Sequence, residues 1–251
     1  SLNYGGTVCD ASVIRMLKEL KARGKKVMFY PMIFVETHQK PWRGRITGSP
    51  SFVKSFFTRP EGYNNFILHY ARLASGMCDA FVVGSEMIGI TCMKEGVEEF
   101  VNLASAVKKI MPVGTKIPYA ADWSEYHSKN GFYNMDALWA SESIDFIGID
   151  AYFPLTDTAT KPSMEEVKQG WEKGEGYDYY YENGEKKFYE SPAFAWKNLR
   201  WFVSNYHINA DGTKSPFVPF SKKIWFTEFG FPSVHLCSNQ PDVFYDPASG
   251  E

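Results

Sequence analysis

The sequence predicts an α/β fold of the (β/α)8, TIM-barrel-like type, incomplete at its ends. Three observations carry that expectation. Strand-length apolar runs alternate with helical patterns along the chain. The runs are continuous rather than alternating, as in strands buried on both faces of a parallel sheet. Only five such runs can be counted, where a closed barrel needs eight. An open doubly wound sheet is the competing arrangement. The 251 residues are expected to form one domain of a larger protein, since the chain opens SLNYGGT without Met and strands are missing.

Each element has its own signal. Residues 10–23 read as a helix: Asp10 is a candidate cap, Val13, Ile14, Leu17 and Leu20 share a face, and Gly24 ends it. KKVMFYPMIF (25–34) is the first strand run, and the Pro- and Gly-bearing HQKPWRGRITGSP (38–50) is a loop. A helix over 63–75 leads to DAFVVGSE (79–86), a short buried strand ending in an acid. Val97, Phe100, Val101, Ala104 and Val107 mark an amphipathic helix over 95–111. KIPYAADWSE (116–125) is the third strand, and a short helix near 134–140 precedes the fourth, IDFIGIDAY (144–152). An insertion follows, at about 151–222. Within it Asn183-Gly184 lies between aromatic runs, a hairpin signal, and 193–206 reads as a helix. KIWFTEFG (223–230) is the last strand.

Composition excludes several classes of function. A net charge of -2 gives no footprint for nucleic acid or an acidic membrane surface. No apolar run reaches the roughly 18 residues of a membrane-spanning helix. Cys9, Cys78, Cys92 and Cys237 are scattered without a CxxC pair and read as buried thiols. No HExxH, GxxxxGK or GxGxxG is present, so neither a metal nor a nucleotide cofactor is implied. The aromatic content of 17% fits a large core, or a cleft on which flat, partly apolar ligands stack.

The informative pattern is what ends the strands. The second run ends in Ser85-Glu86, the third in Asp122-Trp123-Ser124-Glu125, the fourth in Asp150-Ala151-Tyr152 and the last in Thr227-Glu228. Active sites of parallel barrels lie at the C-terminal ends of the strands. An unpaired buried carboxylate is costly, and few cations end these strands, so salt bridging is a poor account of four acids on one rim. Two facing carboxyls, one protonated and one ionised, are the equipment for glycoside hydrolysis.

VVGSEM and WFTEFGFP, with DFIGIDAY between them, resemble the acid and nucleophile strands of clan-A glycoside hydrolases. By that resemblance the strand of Glu86 is barrel strand 4 and that of Glu228 strand 7. Glu86 would be the acid/base and Glu228 the nucleophile. Tyr152 would hold Glu228, and Asp122 and Trp123 would face the substrate. Ser85 stands where many clan members carry the Asn that binds the sugar 2-hydroxyl. Over nearly the whole chain, YGGT, VMFYP, PWRGRITG, GSEM, YAADWSEY, IDFIGIDAY, GEGYDYYY, SKKIWFTEFGFP and NQPDVFYDP resemble the TIM-barrel-like domain of gene transfer agent and phage tail host-specificity proteins. The resemblance implies a larger tail-tip or baseplate protein, further strands upstream, and action on a polysaccharide at the host cell envelope.

Two readings stay open: a retaining hydrolase, or a non-catalytic module that uses its rim for carbohydrate binding or assembly. Asp122 and Tyr152 are equally open to structural hydrogen bonding. Asp150 reads as structural and Trp225 as core, and Arg43 and Arg45 as residues of a solvated loop, with binding of an anionic sugar as the other reading. If the pair is catalytic, Glu86 should have the higher pKa. Its carboxyl should lie about 5–5.5 Å from that of Glu228, rather than the about 6.5–9.5 Å of an inverting pair.

Overall fold

The computed structural model describes residues 7–35, 42–173, 179–182, 185–188 and 198–242. Helix α1 (Asp10–Ala22) buries Val13 and Leu17, and Gly24, at φ +66, turns the chain out of it. Asp10 is its first residue, and Cys9 stands in the cap position. Strand β1 (Met28–Phe29) leads through a 3-10 turn (Arg43–Arg45) to α2 (Pro50–Thr58), α3 (Tyr63–Ala74) and β2 (Ala80–Phe81). Then come α4 (Ile88–Thr91), α5 (Lys94–Ile110), β3 (Tyr119–Asp122), α6 (Asp136–Trp139) and β4 (Ile147–Asp150). Helix α7 (Met164–Lys173), the hairpin β5 (Tyr179–Glu182) and β6 (Glu185–Phe188), α8 (Leu199–Ser204) and β7 (Ile224–Glu228) complete the described chain.

Three of these helices, α2, α4 and α7, lie outside the sequence expectations, and two of them carry a local start signal. In α2, Ser49 Oγ accepts from the Phe52 N–H at 3.2 Å and Pro50 occupies the first turn. In α7, Ser163 and Glu166 form a reciprocal capping box, at 2.7 and 3.2 Å. The expected hairpin is present, with Glu182 opposite Glu185 as its closing pair. Its Asn183-Gly184 turn lies outside the described residues, as does 193–197 of the expected 193–206 helix.

Outside the antiparallel β5–β6 hairpin the strands are parallel and neighbour one another in chain order. β1 pairs with β2, and β3 with β4 and then β7. Bridges at Ala80–Lys116 and Ser85–Ala120 join β2 to β3. A doubly wound sheet reverses strand order at a switch point. No reversal occurs among the described residues, so their sheet is an arc of a singly wound, TIM-barrel-like fold, and the described strands do not close it. The ladders are shorter than the apolar runs, because the runs continue into the rim.

Helices α2, α3 and α5 cover the outside of the arc. Phe57, Phe100, Tyr119 and Trp139, all without exposure, form a chain of edge-on rings at 4.9, 4.9 and 6.2 Å from α2 to α6. His207 ties the insertion to this body: its Nδ1 meets Asp136 Oδ2 at 2.7 Å and its Nε2 meets the Phe202 carbonyl at 2.9 Å. Of the four free thiols only Cys78 is buried, and Cys9 is exposed, which corrects the expectation of four buried ones. Among the described residues no helix is long and apolar enough to cross a membrane.

Candidate active site

Parallel pairing aligns the rim acids. Asp122 pairs with Asp150, and Asp150 with Glu228, across three adjacent strands. The second pairing depends on an irregularity. Ile149 faces Phe226, but Asp150 faces Glu228, so Thr227 is the extra residue. Side chains alternate along a strand, so one extra residue exchanges the faces of all that follow. Without it Thr227 would stand beside Asp150. With it Glu228 shares that face, and Thr227 Oγ1 donates to Asp150 Oδ1 at 2.7 Å.

Glu86 arrives from β2 by a different device. Its backbone has φ +47, the left-handed region that L residues rarely adopt, and strain of this kind collects at functional sites. The Glu86 N–H to Ala120 carbonyl bond (2.9 Å) and the Met87 N–H to Tyr119 hydroxyl bond (2.9 Å) hold the turn on either side. The side chain is fixed as well. Trp42 Nε1 donates to Glu86 Oε2 at 2.9 Å, and an Arg43 guanidinium nitrogen lies 3.0 Å from the same oxygen. Arg43 is buried at 7% exposure, which corrects its placement in a solvated loop, while Arg45 is exposed. Its Nε donates to the Ser85 hydroxyl and carbonyl, at 2.7 and 2.8 Å. Ser85 itself is buried and anchors Arg43.

The result is a cleft of about 420 Å³. Met32, Phe34, Trp42, Trp123 and Tyr152 give it apolar and aromatic walls, and Glu86, Asp122, Glu228 and Asp242 give it acids. Of the expected site residues, Glu86, Glu228, Tyr152, Asp122 and Trp123 all line it. Tyr152 donates to Glu228 Oε2 at 3.2 Å. One carboxylate oxygen from each of Glu86, Asp150 and Glu228 lies within 4.8 Å of the other two. Three carboxylates so close could in principle surround a divalent ion, but the Arg43 guanidinium already supplies positive charge to Glu86.

Burial sets the proton affinities. It pushes the Glu228 carboxyl above its ordinary value, and the Glu86 charge adds to this. Asp150, without any exposure, is pushed up by burial and then by the Glu228 charge. Asp122 rises to about 6, chiefly by burial, against two bonds from Ser124. Glu125, beneath the rim, rises to about 8 by burial although it accepts from Thr91, Tyr119 and the Asp122 N–H. Glu228, expected as the ionised member of the pair, is thus the one whose carboxyl is shown raised, and the Arg43 guanidinium stands against Glu86.

Three participants escaped the sequence reading. Trp42 and Arg43 sit in a polar, Pro- and Gly-marked stretch, and Tyr30, directly after β1 and within the first apolar run, donates to Asp150 Oδ2 at 3.0 Å. Asp150, read as structural, stands within the acid group. Its place at a strand end was the available signal. Trp225, expected in the core, is 50% exposed and stacks on Phe146 at 4.3 Å.

Comparison with known proteins places the chain. No curated protein matches it. Among solved structures it is similar to a chitinase from Rhizomucor miehei, with 16% identity, a TM-score of 0.39, and 66% of this chain covering 52% of that one. It is also similar to the chitinase domain of the spore coat protein CotE from Clostridium difficile, with 13% identity, a TM-score of 0.34, and 85% of this chain covering 69% of that one. The chain thus spans about half the length of the first, and likenesses this distant do not bear on chemistry. The model of the GTA TIM-barrel-like domain matches residues 61–251, most of the sequence. The chain belongs to the GTA TIM-barrel-like domain family.

Proposed function

We propose that this domain hydrolyses a polysaccharide of the cell envelope by a retaining, two-glutamate mechanism, as part of a gene transfer agent or phage-tail-like particle. The observation that carries the reading is the close approach of Glu86 and Glu228, from two separate strands, in an aromatic-walled cleft. A direct nucleophile must reach the anomeric carbon, and a short carboxyl separation leaves no room for an intervening water. Glu228 attacks that carbon, and the Tyr152 hydroxyl holds it in place. Glu86 donates to the leaving oxygen and then activates water. Trp123 supplies a stacking surface, and Asp122 a hydrogen-bond acceptor for sugar hydroxyls.

One observation favours the alternative, a carbohydrate-binding or structural module of a tail tip. The Arg43 contact supports a charged Glu86, whereas a proton donor must be neutral when it acts. Release of reducing sugar from a panel of envelope glycans and β-mannans separates the two. A hydrolase loses about 10²–10⁴-fold in Glu228→Gln. Glycan binding without release, identical in wild type and Glu228→Gln, would leave only the binding module.

A further inference from the structure

The geometry points to Asp150 as a third member of the acid group at the rim, a positioning residue that keeps a proton of its own beside Glu228 and so keeps Glu228 ionised. This rests on the reading of Glu228 as nucleophile. The argument begins with charge. Three carboxylate oxygens lie within 4.8 Å of one another, and the guanidinium of Arg43 faces Glu86 alone among them at contact distance. Three negative charges this close, against one positive charge, repel strongly in a partly dry site, and retaining a proton relieves the repulsion.

The place of that proton follows from burial and bonding. Glu86 faces Arg43 and the Trp42 N–H. Glu228 opens on the cleft, where water reaches it, and accepts from Tyr152. Asp150 has no exposure, so its charge is the most costly of the three. Among the described residues no cation stands at contact distance from it, and Arg43 acts on it from farther off. Thr227 and Glu228 face it from β7, Tyr30 from beyond β1, Glu86 from beyond β2, Tyr152 from the chain after β4, and Asp122 is its partner on β3. Hydroxyls of Thr227 and Tyr30 are satisfied equally by a carboxylic acid, since each can also accept a bond. With the proton on Asp150, Glu228 is relieved of one neighbouring charge and stays ionised for attack. The Asp150 proton stays on its own carboxyl and is not the one that Glu86 donates.

The test reads the free protein, without substrate. Aspartate side-chain carboxyls are labelled with carbon-13 and titrated by NMR, and the resonance missing from Asp150→Asn identifies Asp150. If that variant does not fold, through-bond assignment from the Asp150 amide identifies the same resonance in the wild type. The expected midpoint lies above neutral pH and falls by about one pH unit or more in Glu228→Gln, which removes the neighbouring charge. A midpoint in the ordinary range of about 4, or one that Glu228→Gln leaves unmoved, overturns the inference. A coupled Asp150 in a protein that releases no sugar would sink the hydrolase reading alone. Turnover with an uncoupled Asp150 would sink this inference alone.

Discussion

β4 and β7 are neighbours in one sheet, both apolar and both ending in a carboxylate, yet they occupy opposite environments. All four residues of β4 are buried, whereas in β7 Trp225 is 50% and Phe226 37% exposed. β4 has a strand on each side; β7 has β4 on one side and no strand on the other among the described residues. The same contrast divides the site. Glu86 comes from the packed side and is held by backbone, Trp42 and Arg43, and Glu228 comes from the open edge and is held by Tyr152. An apolar run therefore fixes that a strand forms, and its neighbours fix how rigidly it presents what it carries.

The largest test of that contrast is a pair of phenylalanines. Phe100 is without exposure and packs edge-on against Phe57 and Tyr119, so Phe100→Ala should cost about 3–5 kcal/mol. Phe229, 66% exposed beyond β7, should cost no more than about 0.5 kcal/mol as Ala. Chemical denaturation of both measures the difference. Equal costs would mean that the open edge is covered in solution. Arg43→Met comes next. It leaves the Glu86 carboxylate without its ion-pair partner and frees Ser85, for a loss of about 3 kcal/mol in the same measurement.

A smaller effect depends on pH. Glu125 has its folded carboxyl raised from 4.5 to about 8 by burial. The folded state therefore binds a proton that the unfolded state has released, and the contribution is present below the ordinary glutamate value and is lost as pH rises through about 8. Wild-type stability should fall by on the order of 2 kcal/mol between pH 5 and about 8 from this residue, and Glu125→Gln should flatten that decline. Asp150, raised to about 8, and Asp122, raised to about 6, act in the same direction, so the variant retains the part of the slope that they supply. Thermal unfolding across the pH range reads both. The smallest expected change is Tyr152→Phe, which removes a single part-buried bond to the edge-strand acid. It should cost about 1 kcal/mol, seen in the same unfolding assay. A loss as large as that of Arg43→Met would erase the distinction between the two halves of the site.

How much of this was legible follows the range of the interaction. The strands, and helices α1, α3 and α5, were readable because apolar spacing and turn residues act over a few neighbours. So were Glu86, Asp122, Asp150 and Glu228 as rim acids, since parallel strands bring every C-terminal end to one face. The starts of α2 and α7 were equally local, in Ser49-Pro50 and in Ser163 with Glu166, and were signals left unread.

The sequence by itself determined the alternation of strands and helices and the acids that end the strands. The tertiary structure alone decided that Arg43 leaves its loop to meet Glu86, that Thr227 is the extra residue that turns Glu228 toward Asp150, and that Trp225 faces outward. Each of these joins residues distant along the chain, and the free energy that places them comes from burial and charge pairing across the sheet, which no window of the sequence contains.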